Sequence, residues 1–216
     1  MKKPYQALIF DWDGTLADST SMIVQAVQQA FVENDFAMPS DSEASHIIGL
    51  ALPKAMQHLA PQANADEIFA LSESYKRLFL NPNNQMRLFQ DAQALLPSLK
   101  PDYWLTVATG KSRRGLDRAL TEVGLDKGFF LATRTVDECA SKPSPDMILS
   151  LCDELGLEPR DCVMIGDTTH DLNMAANAGC DTIALTCGAH DLATLQSAPH
   201  VAMLDNFRQL TDWLRA

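Results

Sequence analysis

Residues Ala7-Leu-Ile-Phe10 are an unbroken apolar run, and the chain turns polar at once with Asp11-Trp12-Asp13-Gly14-Thr15. A continuous apolar run of this length fits a strand covered on both faces, as in a parallel sheet. Leu105-Thr-Val-Ala108, Cys162-Val-Met-Ile165 and Thr182-Ile-Ala-Leu185 have the same character, and Phe129-Phe-Leu-Ala132 is a weaker case. Helical patterns lie between them. Leu116, Ala119, Leu120 and Val123 recur at i, i+3, i+4, i+7, after a cap at Ser112 and before Gly124. Ile148, Leu151, Cys152 and Leu155 repeat the spacing, which predicts Ser144 as N-cap, Pro145 at the first helical position and Gly156 past the end. Strands alternating with helices predict an α/β chain built on a doubly wound parallel sheet.

Residues 19–86 break this rhythm. They hold helical stripes such as Ile23, Val27, Ala30 and Phe31, no convincing strand, and a turn sequence Asn81-Pro82-Asn83-Asn84 at their end. The first strand must still find its neighbour near Leu105. The segment is therefore expected to be an inserted α-helical cap (19–86) over a core made of 1–18 and 87–216. A chain of 216 residues, 46% apolar, can bury such a core. The net charge of −11 argues against a nucleic-acid surface. No segment approaches the roughly 20 apolar residues of a membrane span, and Lys2 and Lys3 are followed by too short an apolar stretch for a signal peptide. Cys139, Cys152, Cys162, Cys180 and Cys187 include no C-x-x-C pair, which predicts reduced thiols and a cytoplasmic protein. Nothing in the sequence speaks to oligomeric state.

Three polar signals end predicted strands: Asp11-Trp-Asp13-Gly14, Thr109-Gly110 and Gly166-Asp167-Thr-Thr-His-Asp171. A fourth, Lys142-Pro143, stands just before a helix. Ligands of open α/β sheets bind outside the carboxyl ends of the strands. Carboxylates crowded there repel one another unless a cation lies between them. The set predicts a magnesium site built for a phosphate. Asp11 is the expected nucleophile, forming an aspartyl-phosphate. Asp13 would protonate the leaving alkoxide and then take a proton from water. Gly14 permits close backbone approach, so its N–H is expected to face the phosphate together with the Thr109 hydroxyl and the Gly110 N–H. Lys142 would offset negative charge on Asp11 and the phosphoryl group. Asp11, the backbone carbonyl of Asp13 and Asp167 are the expected Mg2+ ligands, with Asp171 as an outer ligand or orienting group. Asp18 and Ser19 are expected to cap the first cap helix, and His170 to be a solvated first-turn histidine.

The stretches DWDGTLADS (Asp11 to Ser19), VATGK (Val107 to Lys111), SKPSPD (Ser141 to Asp146) and GDTTHDLNMAANAG (Gly166 to Gly179) resemble, in this order and spacing, the haloacid dehalogenase-like hydrolase superfamily. The likeness is to its phosphoglycolate phosphatase and β-phosphoglucomutase branch. It implies a Rossmann-like core with a helical cap between the first and second motifs. It implies a Mg2+-dependent phosphatase acting on a small phosphorylated metabolite. A phosphosugar mutase is the alternative; a phosphonatase or a non-catalytic binding protein are further ones. Within the cap, Ile47-Ile-Gly49-Leu-Ala-Leu-Pro53-Lys54 looks like the family's substrate-facing loop, where Lys54 would meet an anionic substrate group. His46 is a weaker candidate there. Arg87, at the return to the core, is expected to be a hinge or a substrate contact.

Overall fold

Every neighbouring pair of strands runs parallel. The computed structural model describes residues 4–81, 84–125 and 128–216. Lys2, Lys3, Pro82 and Asn83 of the sequence expectations lie outside the described residues. The strands β1 (Ala7–Phe10), β2 (Trp104–Ala108), β3 (Ala132–Arg134), β4 (Cys162–Gly166), β5 (Asp181–Leu185) and β6 (Ala202–Leu204) form one sheet in the order β3-β2-β1-β4-β5-β6. The chain builds outward from β1 to β3 on one side, then crosses to build β4 to β6 on the other. The order reverses between β1 and β4, where a doubly wound sheet opens its crevice. Phe10 is in register with Val107 and with Ile165, so the residues that follow these strands share one edge.

The apolar runs are covered on both faces, as their continuity requires. Leu8 and Phe10 pack into one buried cluster with Val107, Leu116 and Phe207. Ala7 and Ile9 pack into another with Met164, Ile148 and Leu151. The insert comes first in helix order: α1 (Thr20–Glu33), α2 (Asp41–His46), α3 (Leu52–Leu59) and α4 (Ala65–Phe79). Then come α5 (Gln90–Leu95), α6 (Arg113–Glu122), α7 (Asp146–Leu155), α8 (Thr169–Ala178), α9 (Leu192–Gln196) and α10 (Phe207–Arg215). Helices α6 and α10 cover the first face, α7 and α8 the second.

The insert contains four helices and, among its described residues, no strand. Val27, Phe31, Met56 and Leu71 make a buried cluster of its own. Each fully buried side chain of this kind contributes roughly 1.5–3 kcal/mol. Capping boxes start two of its helices, Ser40 with Glu43 and Asn64 with Glu67. The two chain crossings into the core are tied together. Asp18 N–H donates to Arg87 O at 2.9 Å, and Phe89 N–H to Leu16 O at 3.0 Å. Arg87 thus serves the crossing through its backbone, while its side chain is exposed.

Some local expectations are corrected. Ser112 caps α6, and Gly156 ends α7 in the left-handed conformation with φ 68°. At the start of α7, however, the N-cap is Pro145 and not Ser144, because Ser144 N–H is drawn into a turn with Ser141 O. In the weak run at 129–132 only Ala132 is in a strand. Phe129 and Phe130 pack their rings against one another, and Phe130 against Trp12. The three-residue edge strand β6, whose side chains are only half-buried, carries too little pattern to predict.

Candidate active site

Asp11 extends the β1 ladder by one bond, its N–H donating to Ile165 O at 2.9 Å, and its side chain is buried. The adjacent β4 delivers Asp167 to the same place, and the first turn of α8 delivers Asp171. Ligand oxygens of Asp11, Asp167 and Asp171 lie within 4.8 Å of one another. Lys142 is fully buried among them, with Nζ 2.7 Å from Asp11 Oδ1 and 2.6 Å from Asp171 Oδ1. The Asp171 contact is a hydrogen bond. The Asp11 contact is a buried ion pair to Oδ1, and among the described residues no donor reaches Asp11 Oδ2.

The supporting carboxylates are held firmly. Thr15 Oγ1 donates to Asp167 Oδ1 at 2.6 Å, and Ala189 N–H to Oδ2 at 2.7 Å. Thr168 Oγ1 donates to Asp171 Oδ2 at 2.6 Å, in a capping box that starts α8. Asp171 is therefore shared between Lys142 and a helix cap.

Burial raises the Asp11 pKa well above the usual carboxylate range. Lys142 pulls it back, while Asp171 and Asp167 push it up further. Burial and then Asp171 push Asp167 up to about 7, against the bonds from Thr15 and Ala189. Burial pulls Lys142 down, but Asp11 and Asp171 outweigh it and hold the ammonium above its ordinary value. Three carboxylates facing one ammonium lack positive charge. The buried Asp11 Oδ2 lacks a donor among the described residues. Both features fit a hard divalent cation, which takes oxygen ligands.

Asp13 stands apart from this trio. Its Oδ1 accepts from Ser19 Oγ at 2.7 Å, and its Oδ2 lies 2.9 Å from Lys111 Nζ. Ser19 stands at the N-cap position of α1 as expected, but its buried hydroxyl is spent on Asp13 and makes no side-chain cap bond. The Asp18 side chain is exposed.

The Gly14 expectation also changes. Its N–H is already used by Ala17 O at 2.9 Å, so it does not face a phosphate. What the position needs is the absent side chain. Gly14 has φ +80°, and a Cβ there would lie 2.2 Å from Asp167 Oδ2. Thr109 is buried at the end of β2, its Oγ1 accepting from Lys111 N–H at 3.2 Å. A Cβ on Gly110 would meet Gly49 O at 2.4 Å, so the insert loop rests directly on this turn. The hypothetical Cβ of Gly49 is 3.9 Å from Asp11 Oδ2, which places that loop over the nucleophile position. Ala51 N–H donates to Ser141 Oγ at 3.0 Å and fastens the same loop to the core.

Lys54 is not drawn into the site. It is exposed on α3, whose inward positions are Ala55 and Met56. His170 is not freely solvated. It is half-buried, with Nε2 2.8 Å from His46 O, and His190 Nε2 lies 3.1 Å from the same carbonyl. Sequence reasoning passed over Thr15, Ser19, Lys111, Thr168 and His190 as site residues. All but His190 lie inside or beside the quoted motifs, so the signal was at hand.

Residues 8–185 match the family model described as Haloacid dehalogenase-like hydrolase. The chain belongs to that family. It is 34% identical over 210 residues to the protein named "Probable phosphatase IndB" of Dickeya dadantii (strain 3937), covering 94% of this chain and 90% of that one. It is 29% identical to a phosphoglycolate phosphatase of Haemophilus influenzae (strain 86-028NP), covering 97% and 98%. A hydrolase from Pseudomonas syringae of solved structure superposes with a TM-score of 0.89 at 24% identity, covering 98% of each chain. That last likeness concerns the fold.

Proposed function

We propose that the chain is a Mg2+-dependent phosphatase that hydrolyses a small-molecule phosphate monoester through an aspartyl-phosphate on Asp11. The observation that carries this reading is Asp11 itself. It is a buried carboxylate at the switch point, with the Lys142 ammonium 2.7 Å from Oδ1 and, among the described residues, no donor to Oδ2. Phosphatase-named relatives support it.

Asp11, Asp167 and the backbone carbonyl of Asp13 would hold the cation, with Asp171 orienting its surroundings. When bound, the cation neutralises phosphoryl charge. In the first step an Asp11 carboxylate oxygen attacks phosphorus. The bond to the ester oxygen breaks, and that oxygen leaves with a proton from Asp13. In the second, Asp13 takes a proton from water, whose oxygen attacks phosphorus and frees the Asp11 carboxylate and inorganic phosphate. Lys142 holds Asp11 in place and offsets its charge. Thr109 Oγ1 and Gly110 N–H are the proposed phosphate donors. Residues 19–86 act as the cap that admits substrate and excludes water.

The test is phosphate release from a panel of esters with and without Mg2+, repeated with Asp11→Asn. Turnover should vanish on exhaustive chelation and in Asp11→Asn. Near-native turnover in either case overturns the mechanism. Asp13→Asn should keep transfer from esters with good leaving groups and lose alkyl phosphates.

A further inference from the structure

A cavity of about 790 Å3 lies between the insert and the core. That is the size of a site for a drug-sized molecule. Of the four site aspartates, only Asp13 lines it. Under the reading above Asp13 protonates the departing oxygen, so the leaving group lies on the Asp13 side and extends into this space. The phosphoryl group lies on the far side of Asp13, against Asp11.

The wall supplied by the insert helices is largely apolar, and Lys76, Arg77, Arg114 and Arg118 also line the cavity. Ile23, Val27, Ile48 and Met56 come from the insert, and Tyr75 and Phe79 from α4. The two rings stack with centroids 5.6 Å apart and an interplanar angle of 11°. Burial and then the Asp13 charge push the Tyr75 phenol upward. Lys111 Nζ lies 4.9 Å from the Phe79 ring centroid while pairing with Asp13, so the aromatic wall begins where the acid ends. A two-carbon acid such as glycolate would fill little of this volume.

We propose that the substrate of this site is a phosphate monoester with a bulky, largely apolar and preferably aromatic leaving group, seated against Tyr75 and Phe79. This rests on the phosphatase reading for the identity of the leaving-group side. Remote binding of such a body raises the rate when it is used to orient the ester at Asp11. A flat ring offers the stacked pair a partner at 4.5–7 Å centroid separation.

The experiment compares two primary alkyl phosphates of equal leaving-group chemistry, 2-(1-naphthyl)ethyl phosphate and ethyl phosphate, with phosphoglycolate as a third substrate. Burial of the added rings predicts a kcat/KM ratio of about 30 in favour of the naphthyl ester over ethyl phosphate. Phosphoglycolate should also fall below the naphthyl ester. Tyr75→Ala and, separately, Tyr75→Leu should cut the naphthyl-to-ethyl ratio by about tenfold. Comparable kcat/KM for the two alkyl esters, or a clear preference for phosphoglycolate, overturns the inference. If no ester turns over with Mg2+ present, the phosphatase reading fails. Calorimetric titration of the two alkyl phosphates into the native protein then decides the inference alone. Tighter binding of the naphthyl ester by tenfold or more sustains it, and equal binding ends it.

Discussion

Lys111 Nζ stands 2.9 Å from Asp13 Oδ2, and the same ammonium lies 4.9 Å from the Phe79 ring centroid. One core lysine therefore holds the proposed acid and touches the aromatic wall of the insert. Its side chain is only 10% exposed, so solvent screens the pair weakly. Among the described residues, the other side-chain partner of the Asp13 carboxylate is Ser19 Oγ. Replacing Lys111 by Met keeps the length and removes the charge. The carboxylate then swings on a single hydrogen bond. We expect kcat/KM for alkyl phosphates to fall by about 10–100-fold, most of it in kcat. An unchanged kcat would reduce Lys111 to a bystander.

Among the described residues, Lys142 is the only ammonium paired with the buried Asp11 and Asp171, so its removal should be felt in stability as well as in rate. In Lys142→Met the charges of Asp11 and Asp171 lose their partner. Breaking a buried pair from one side costs about 3–5 kcal/mol. Urea unfolding in chelator should show a loss of about that size. Added Mg2+ should recover part of it, because a cation that binds only the folded chain stabilises it by mass action. A variant as stable as the native protein without metal would mean that the carboxylates are already neutral there.

Thr15 is a positioning residue through its 2.6 Å bond to Asp167 Oδ1. Thr15→Val keeps the shape and deletes the donor. Partners of metal ligands change metal affinity by about 10–100-fold when lost. We expect Mg2+ affinity, read by calorimetry on the substrate-free protein, to weaken by at least the lower figure. Activity at saturating Mg2+ should be largely restored. Activity lost equally at all Mg2+ concentrations would place Thr15 in the chemistry instead.

The parts of this protein legible in its sequence are those written as short patterns. Apolar runs such as Ala7–Phe10 marked central strands because both faces are buried, and their ends located Asp11, Thr109 and Asp167. The absence of such runs in 19–86 marked the helical insert. What escaped is geometry between distant segments. Nothing at Lys111 announces a partner nearly a hundred residues away, and nothing at Gly14 says that Ala17 takes its N–H while Asp167 crowds its missing side chain. Lys54 looked available because it is charged and in the right loop, but the helix phase turns Ala55 and Met56 inward. His190 lies outside every motif, and only the folded chain brings it to His46.

His190 makes a pH prediction with a definite sign. Its ring stacks on His46 at 4.8 Å, Nε2 meets His46 O, and Nδ1 accepts the Thr169 N–H at 3.1 Å. An acceptor nitrogen carries no proton, so this arrangement requires the neutral ring. Burial, against the His46 bond and with His170 and His46 adding repulsion, pulls His190 from near 6.5 down to about 4. The unfolded chain therefore binds more protons between those values. The stability linked to His190 is present above about pH 6.5 and is lost as pH falls toward 4. Asp167, pushed up to about 7, gives the opposite slope over much of the same window, so the native curve alone does not separate them. His190→Gln does. Its amide can still reach the His46 carbonyl, but it does not titrate. In urea unfolding of chelator-treated protein, the variant should be less stable than the native chain near neutral pH, and the gap should close on acidification to about pH 4.5. A gap that stays constant across this range would show that the ring is not protonated on unfolding, and the neutral-histidine contact would lose its link to pH.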